Sequence, residues 1–160
     1  MGVTCTMRRI SPVELERIRA RGGDAIIDKL RWNSKGAIDL DKAWDGIAWL
    51  LHRQRRGLAR LLRRDRHTHP ALFPRATIAR KIGYVPATEV RAIAPTLVAL
   101  DLERLRAGFD PAAMTAAGVY PLIWDEGDNA FEYLRSHFET MQALYRDAAA
   151  AGDCVLTRIE

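Results

Sequence analysis

Three aspartates crowd one short stretch, Ile38-Asp39-Leu40-Asp41-Lys42-Ala43-Trp44-Asp45. Asp41 and Asp45 stand one helical turn apart, so on a helix their carboxylates can converge. Paired carboxylates suit general acid–base chemistry or a hard cation. A plainer role competes with that one: aspartates ahead of a helix cap it and complement its positive end. A second acidic set, Trp124-Asp125-Glu126-Gly127-Asp128, lies in a turn-rich stretch. It lacks the glutamate that closes a calcium loop at its twelfth position, where Ser136 stands, and acidic capping of the following helix explains it more simply. If the two sets meet in space with Trp44, Tyr120 and Trp124 around them, then Asp39, Asp41, Asp45, Asp125 and Glu126 line an acidic–aromatic pocket.

Other chemistry finds less support. The chain has no Gly-x-Ser-x-Gly elbow, no Walker loop and no dinucleotide fingerprint, so no cofactor is expected. Ser136 and His137 are adjacent on a helix and therefore point about 100° apart, which rules out a dyad. Asp65-x-His67-x-His69 would share one face of a strand, but zinc wants three or four fixed ligands and neither cysteine is near in sequence, so no metal is expected. Cys5 and Cys154 read as reduced, buried thiols that become neighbours only if the terminal segments pair.

The net charge of +5 is concentrated in one segment. Residues 52–81 hold nine Arg and one Lys against the single acid Asp65, which leaves the remainder of the chain mildly acidic. Arg53, Arg55, Arg56, Arg60, Arg63 and Arg64 are the residues that would contact phosphates. The segment has no aromatic residue for base stacking before Phe73 and carries no nucleic-acid-binding signature, which argues against that function.

These residues need elements to position them. The 160 residues fit one domain, 48% hydrophobic and 28% charged, able to bury a real core. No apolar run reaches the ~18 residues of a membrane span, and no export signal is evident, so a cytoplasmic protein is expected. Val3, Cys5 and Met7 alternate with polar residues as in a strand. Ser11-Pro12-Val13-Glu14 opens a helix that should run to about Arg21, and a short helix is expected from Asp24 to about Leu30. Trp44, Ile47, Ala48 and Leu51 form a buried helical stripe that Asp39 or Asp41 would cap. A stripe from Thr88 to Leu100 should kink or split at Pro95. Asp110-Pro111 starts a short helix ending at Gly118. Phe131, Leu134, Phe138, Met141, Tyr145 and Ala148 mark the clearest helix, stopped at Gly152, and Cys154 to Ile159 reads as a closing strand. The predicted fold is α+β: a small sheet containing both terminal strands, packed by several helices.

Several of these pieces together resemble the YfbM-like bacterial family, domain-of-unknown-function family 1877. They are Met1-Gly2 opening a strand, Asp39-Leu40-Asp41-Lys42-Ala43-Trp44 with Gly46-Ile47, and the helix Glu89-Val90-Arg91-Ala92-Ile93-Ala94. Phe109-Asp110-Pro111-Ala112-Ala113-Met114, Val119-Tyr120-Pro121 with Trp124-Asp125-Glu126, and Tyr145-Arg146 through Ala151-Gly152-Asp153-Cys154-Val155-Leu156 complete the set. The resemblance implies a small α+β fold in a bacterial cytosolic protein and brings no established activity. It breaks at residues 52–81, where such proteins continue with Thr-Gly and small residues but this chain has His52-Arg53-Gln54-Arg55-Arg56-Gly57. Either the segment is a genuine basic sequence or a shifted reading frame produces the break, since CGN arginine codons read one base later begin with G and encode small or acidic residues. The expectation is therefore a non-catalytic interaction domain with an unknown protein partner. The alternative is an enzyme or ligand binder using the acidic–aromatic pocket, and the third is weak nucleic-acid binding through the arginines.

Overall fold

The computed structural model describes residues 2–21, 30, 32, 34–54, 76–79 and 82–160. Strand β1 (Cys5–Ile10) leads to helix α1 (Pro12–Ala20), where Ser11 accepts the Glu14 backbone N–H at 3.2 Å and Pro12 occupies the first turn. Then come β2 (Ala37–Asp39), α2 (Trp44–Arg53), and the pair β3 (Ala76–Ala79) and β4 (Ile82–Val85). Helices α3 (Ala87–Val98), α4 (Leu102–Ala107) and α5 (Pro111–Ala116) lead to a single 3-10 turn, Trp124–Glu126. The long helix α6 (Asp128–Ala151) and strand β5 (Cys154–Ile159) complete the order.

The chain's two ends meet at the centre of the sheet. Strand order is β2-β1-β5-β4-β3, every pair antiparallel, with Cys5 opposite Ile159 and Ile10 opposite Cys154. That register keeps the thiols at opposite ends of the pair, so the terminal strands pair without making them neighbours; both cysteines are free and buried. Alternation along the strands divides the apolar residues between two faces. Cys5, Met7, Val85 and Val155 join Phe138, Met141, Tyr145 and Ala148 of α6, Val90, Ile93 and Leu97 of α3, and Ile47 and Leu51 of α2. Ile10, Ile82, Cys154 and Leu156 face the other way, onto Leu15 and Ile18 of α1 and onto Trp32. The α+β expectation therefore holds, with helical cover on both sides of the sheet.

Two local expectations change. Of the kink or split expected at Pro95, the split does not occur: helix α3 runs continuously through it. Its buried stripe packs on α6, and Gln142 of α6 donates to the Leu97 and Leu100 carbonyls at 2.9 and 3.2 Å, closing the end of α3 from outside. Asp39 and Asp41 do not cap α2: Ala43 precedes that helix and makes no side-chain cap. The expected helix over residues 24–30 falls largely outside the described residues.

Candidate functional site

The loop between β2 and α2 is organised by its own aspartates. Asp39 Oδ1 accepts the Asp41 N–H at 2.7 Å, which bends the backbone, and Asp41 adopts a positive φ of 44°. Short polar side chains tolerate this left-handed conformation better than most. The bend leaves Leu40 buried, its N–H donating to the Cys5 carbonyl at 2.8 Å. Asp41 then reaches α6, where its Oδ2 accepts the Tyr133 hydroxyl at 2.9 Å and that hydroxyl accepts the Lys42 N–H at 3.1 Å. The His137 ring stands edge-on to Tyr133, centroids 4.8 Å apart.

Asp45 lies in the first turn of α2 and serves a different partner. Its Oδ2 accepts the Tyr120 backbone N–H at 2.9 Å. Tyr120 in turn accepts the Val3 N–H on its hydroxyl at 3.1 Å, while Trp44 Nε1 donates to the Val3 carbonyl at 3.0 Å. The Trp44 and Tyr120 rings are 6.4 Å apart. Trp124 is fully buried, donates from Nε1 to the Val119 carbonyl at 2.7 Å, and presses against Gly46 of α2. The side chains of Asp125 and Glu126 are exposed and make no hydrogen bond or ion pair among the described residues, although the Glu126 backbone N–H donates to the Ile123 carbonyl at 3.0 Å.

The structure thus brings Trp44, Asp45, Tyr120 and Trp124 together, ties Asp41 to Tyr133 and Asp39 to the Asp41 backbone, and leaves Asp125 and Glu126 on the surface. Asp41 and Asp45, one helical turn apart in sequence, are held by different partners because Asp41 precedes the helix. Next to Asp45 is a groove of about 270 Å³ lined by Asp45, Ala48, Trp49, His52 and the Ala117–Val119 backbone turn. Asp45 is the one residue of the expected acidic–aromatic pocket that lines it. Trp49, His52 and Tyr133 were not singled out by the sequence, although Asp45, Ala48, Trp49 and His52 follow the i, i+3, i+4, i+7 spacing of a second stripe on α2. The Trp49 indole N–H is buried without an acceptor, and the Arg53 guanidinium covers its ring at 4.7 Å. Arg53 also approaches Asp110 at 3.9 Å. Arg55, Arg56, Arg60, Arg63 and Arg64, with Asp65, His67 and His69, lie outside the described residues. Among the described residues no three of His, Cys, Asp and Glu are grouped as a metal site requires.

The profile of a domain of unknown function, DUF1877, matches residues 1–158. The chain belongs to the DUF1877 family. This DUF1877 domain is similar in structure to YfbM from Escherichia coli, itself a protein of unknown function, with a TM-score of 0.72 over 98% of this chain and 99% of that one. The two are 19% identical, so the likeness establishes a shared fold. A comparison with curated proteins finds no match.

Burial raises the proton affinity of Tyr133, and its hydrogen bond to Asp41 raises it further; burial does the same for Tyr145, Cys5 and Cys154. A group whose pKa is raised by folding stabilises the folded chain below its unfolded pKa, and that stability is lost as pH climbs toward the folded value. The loss begins near the unfolded thiol and phenol values of 9.0 and 10.0. These groups therefore leave stability unchanged between pH 7 and 8 and make it fall steadily above about pH 9. Urea midpoints across that range test this, and Tyr133→Phe should flatten the decline above pH 10. An unaltered slope in the variant would show that Tyr133 contributes nothing to it.

Proposed function

We propose that this DUF1877 domain is a non-catalytic protein-interaction domain of the cytoplasm. The observation that carries the reading is the use made of Asp39, Asp41 and Asp45. Each accepts a backbone N–H or a tyrosine hydroxyl that stitches the loop after β2, the Tyr120 turn and α6 together. A carboxylate committed to such bonds is poorly placed to exchange protons with a substrate. The indoles of Trp44 and Trp124 are likewise committed to the Val3 and Val119 carbonyls. Among the described residues no helix is long and apolar enough to cross a membrane, which agrees with the cytoplasmic part of the reading.

One observation favours a second reading, a small-ligand binder. The groove beside Asp45 contains Trp49, whose buried indole N–H lacks an acceptor, and a buried donor left unpaired is costly. Thermal-shift measurements against Mg²⁺, Ca²⁺, Zn²⁺ and a metabolite panel separate the two readings. The interaction domain predicts no shift, or the same shift in the native protein and in Trp49→Phe and Asp45→Asn, which change the groove itself. A stabilisation that disappears in those variants would assign the groove to a ligand and overturn the proposal.

A further inference from the structure

Leu122 combines two unfavourable features, a left-handed backbone and an exposed apolar side chain. Its φ is 60°, a left-handed conformation that branched, bulky side chains rarely adopt. Its side chain is also 63% exposed, the highest value of any large apolar residue described. The same region solves this problem conventionally at Gly118 and Gly127, glycines with φ of 67° and 61°. At 122 the chain keeps leucine. Backbone strain of this kind persists where the surroundings impose it, and it clusters at functional positions.

The turn that presents Leu122 is braced on several sides. Tyr120 is held by Asp45 and by Val3, the Leu122 N–H donates to the Val119 carbonyl at 3.3 Å, and Trp124 anchors the following residues in the core. Leu122 is therefore an apolar knob on a preorganised support, the condition in which contact area converts best into affinity. Asp125 and Glu126, three and four residues further on, are exposed and unpaired, whereas Asp128 is occupied by Arg106. An apolar anchor on the same turn as unpaired negative charge fits an apolar pocket with a positive rim.

We infer that the Tyr120–Glu126 turn is a docking surface, inserting Leu122 into an apolar pocket of a partner protein whose rim carries lysine or arginine opposite Asp125 and Glu126. This rests on the interaction-domain reading and adds the surface and the partner's chemistry.

The test keeps Leu122 in place and puts a benzophenone amino acid at Ala117 or Asn129, both exposed and flanking the turn, in the full chain expressed in its native host. Val13 on α1, 61% exposed, is the control position. Crosslinking from 117 or 129 should give an adduct with a second protein, through a peptide of that protein rich in Lys or Arg. Leu122→Gly should lower its yield by about tenfold or more, as loss of a central anchor does, while leaving the Tm unchanged or higher because glycine relieves the left-handed backbone. Asp125→Lys with Glu126→Lys should lower the yield comparably. An adduct indifferent to both variants, adducts only between copies of this chain, or an adduct from Val13 alone would overturn this inference while leaving the interaction domain standing. The absence of an adduct at every position would count against both.

Discussion

Replacing Trp124 with alanine is expected to lower the free energy of unfolding by about 4 kcal/mol, within the range for truncating a buried aromatic residue. Trp124 has no exposed surface and heads the fully buried side chains by volume. Its ring meets Phe109 edge-on at 6.4 Å and lies against Gly46, so three segments lose a common filler when it goes: α2, the α4–α5 connection and α6. The hydrogen bond is the smaller part of the loss. The Val119 carbonyl that receives the indole N–H at 2.7 Å also accepts from Leu122 N–H at 3.3 Å, so it keeps one partner. Trp124→Phe, which keeps an aromatic ring but shortens it, should therefore cost less than half as much. Urea unfolding with an unchanged m-value measures both. A loss below about 1.5 kcal/mol for Trp124→Ala would mean that the site collapses around the void and that Trp124 does not anchor the turn.

That anchor was legible in the sequence only as a local motif. Periodicity revealed α6, because a long helix with one buried stripe from Phe131 to Ala148 repeats its signal over about five turns, and it revealed both terminal strands. It did not reveal β3 and β4. Each has four residues, Gly83 interrupts the second, and β3 lies within, and β4 directly after, a basic segment whose composition hides alternation. Pro95 misled in the opposite direction. The local cost of an internal proline is about 3 kcal/mol, but Val90, Ile93 and Leu97 are buried against α6 and hold the helix together across it. Asp39 and Asp41 look like caps for α2, and an aspartate two residues before a free N–H can bend the chain instead. Which outcome wins depends on Tyr133, ninety-two residues from Asp41, and no local pattern encodes that contact. The proximity of Trp44, Asp45, Tyr120 and Trp124 is of the same type: the residue types were visible, and their meeting is set by how α2 packs under α6.

Gly46 tests that packing directly. On helix propensity alone, Gly46→Ala should stabilise α2 by about 1 kcal/mol. The packing reverses the sign. A Cβ at position 46 would lie 2.6 Å from Trp124 Cη2 and 2.7 Å from Leu134 Cδ2, and both of those side chains are fully buried with nowhere to withdraw. Overpacking of a tight core costs about 1–3 kcal/mol, and two contacts this short onto buried side chains put it near the upper end, so a net destabilisation of about 2 kcal/mol is expected after the propensity gain of about 1 kcal/mol. The same contact makes the two substitutions interdependent. With Trp124 already alanine, one of the two clashes vanishes, and Gly46→Ala should cost about 1 kcal/mol less than in the native chain, a coupling of the size seen between residues in contact. A stabilising Gly46→Ala would show that α2 stands off from Trp124. Strict additivity of the two changes would show that the clash resides on Leu134 alone. Either result would detach the Tyr120 turn from the helix that is taken to brace it, and with it the rigid presentation of Leu122.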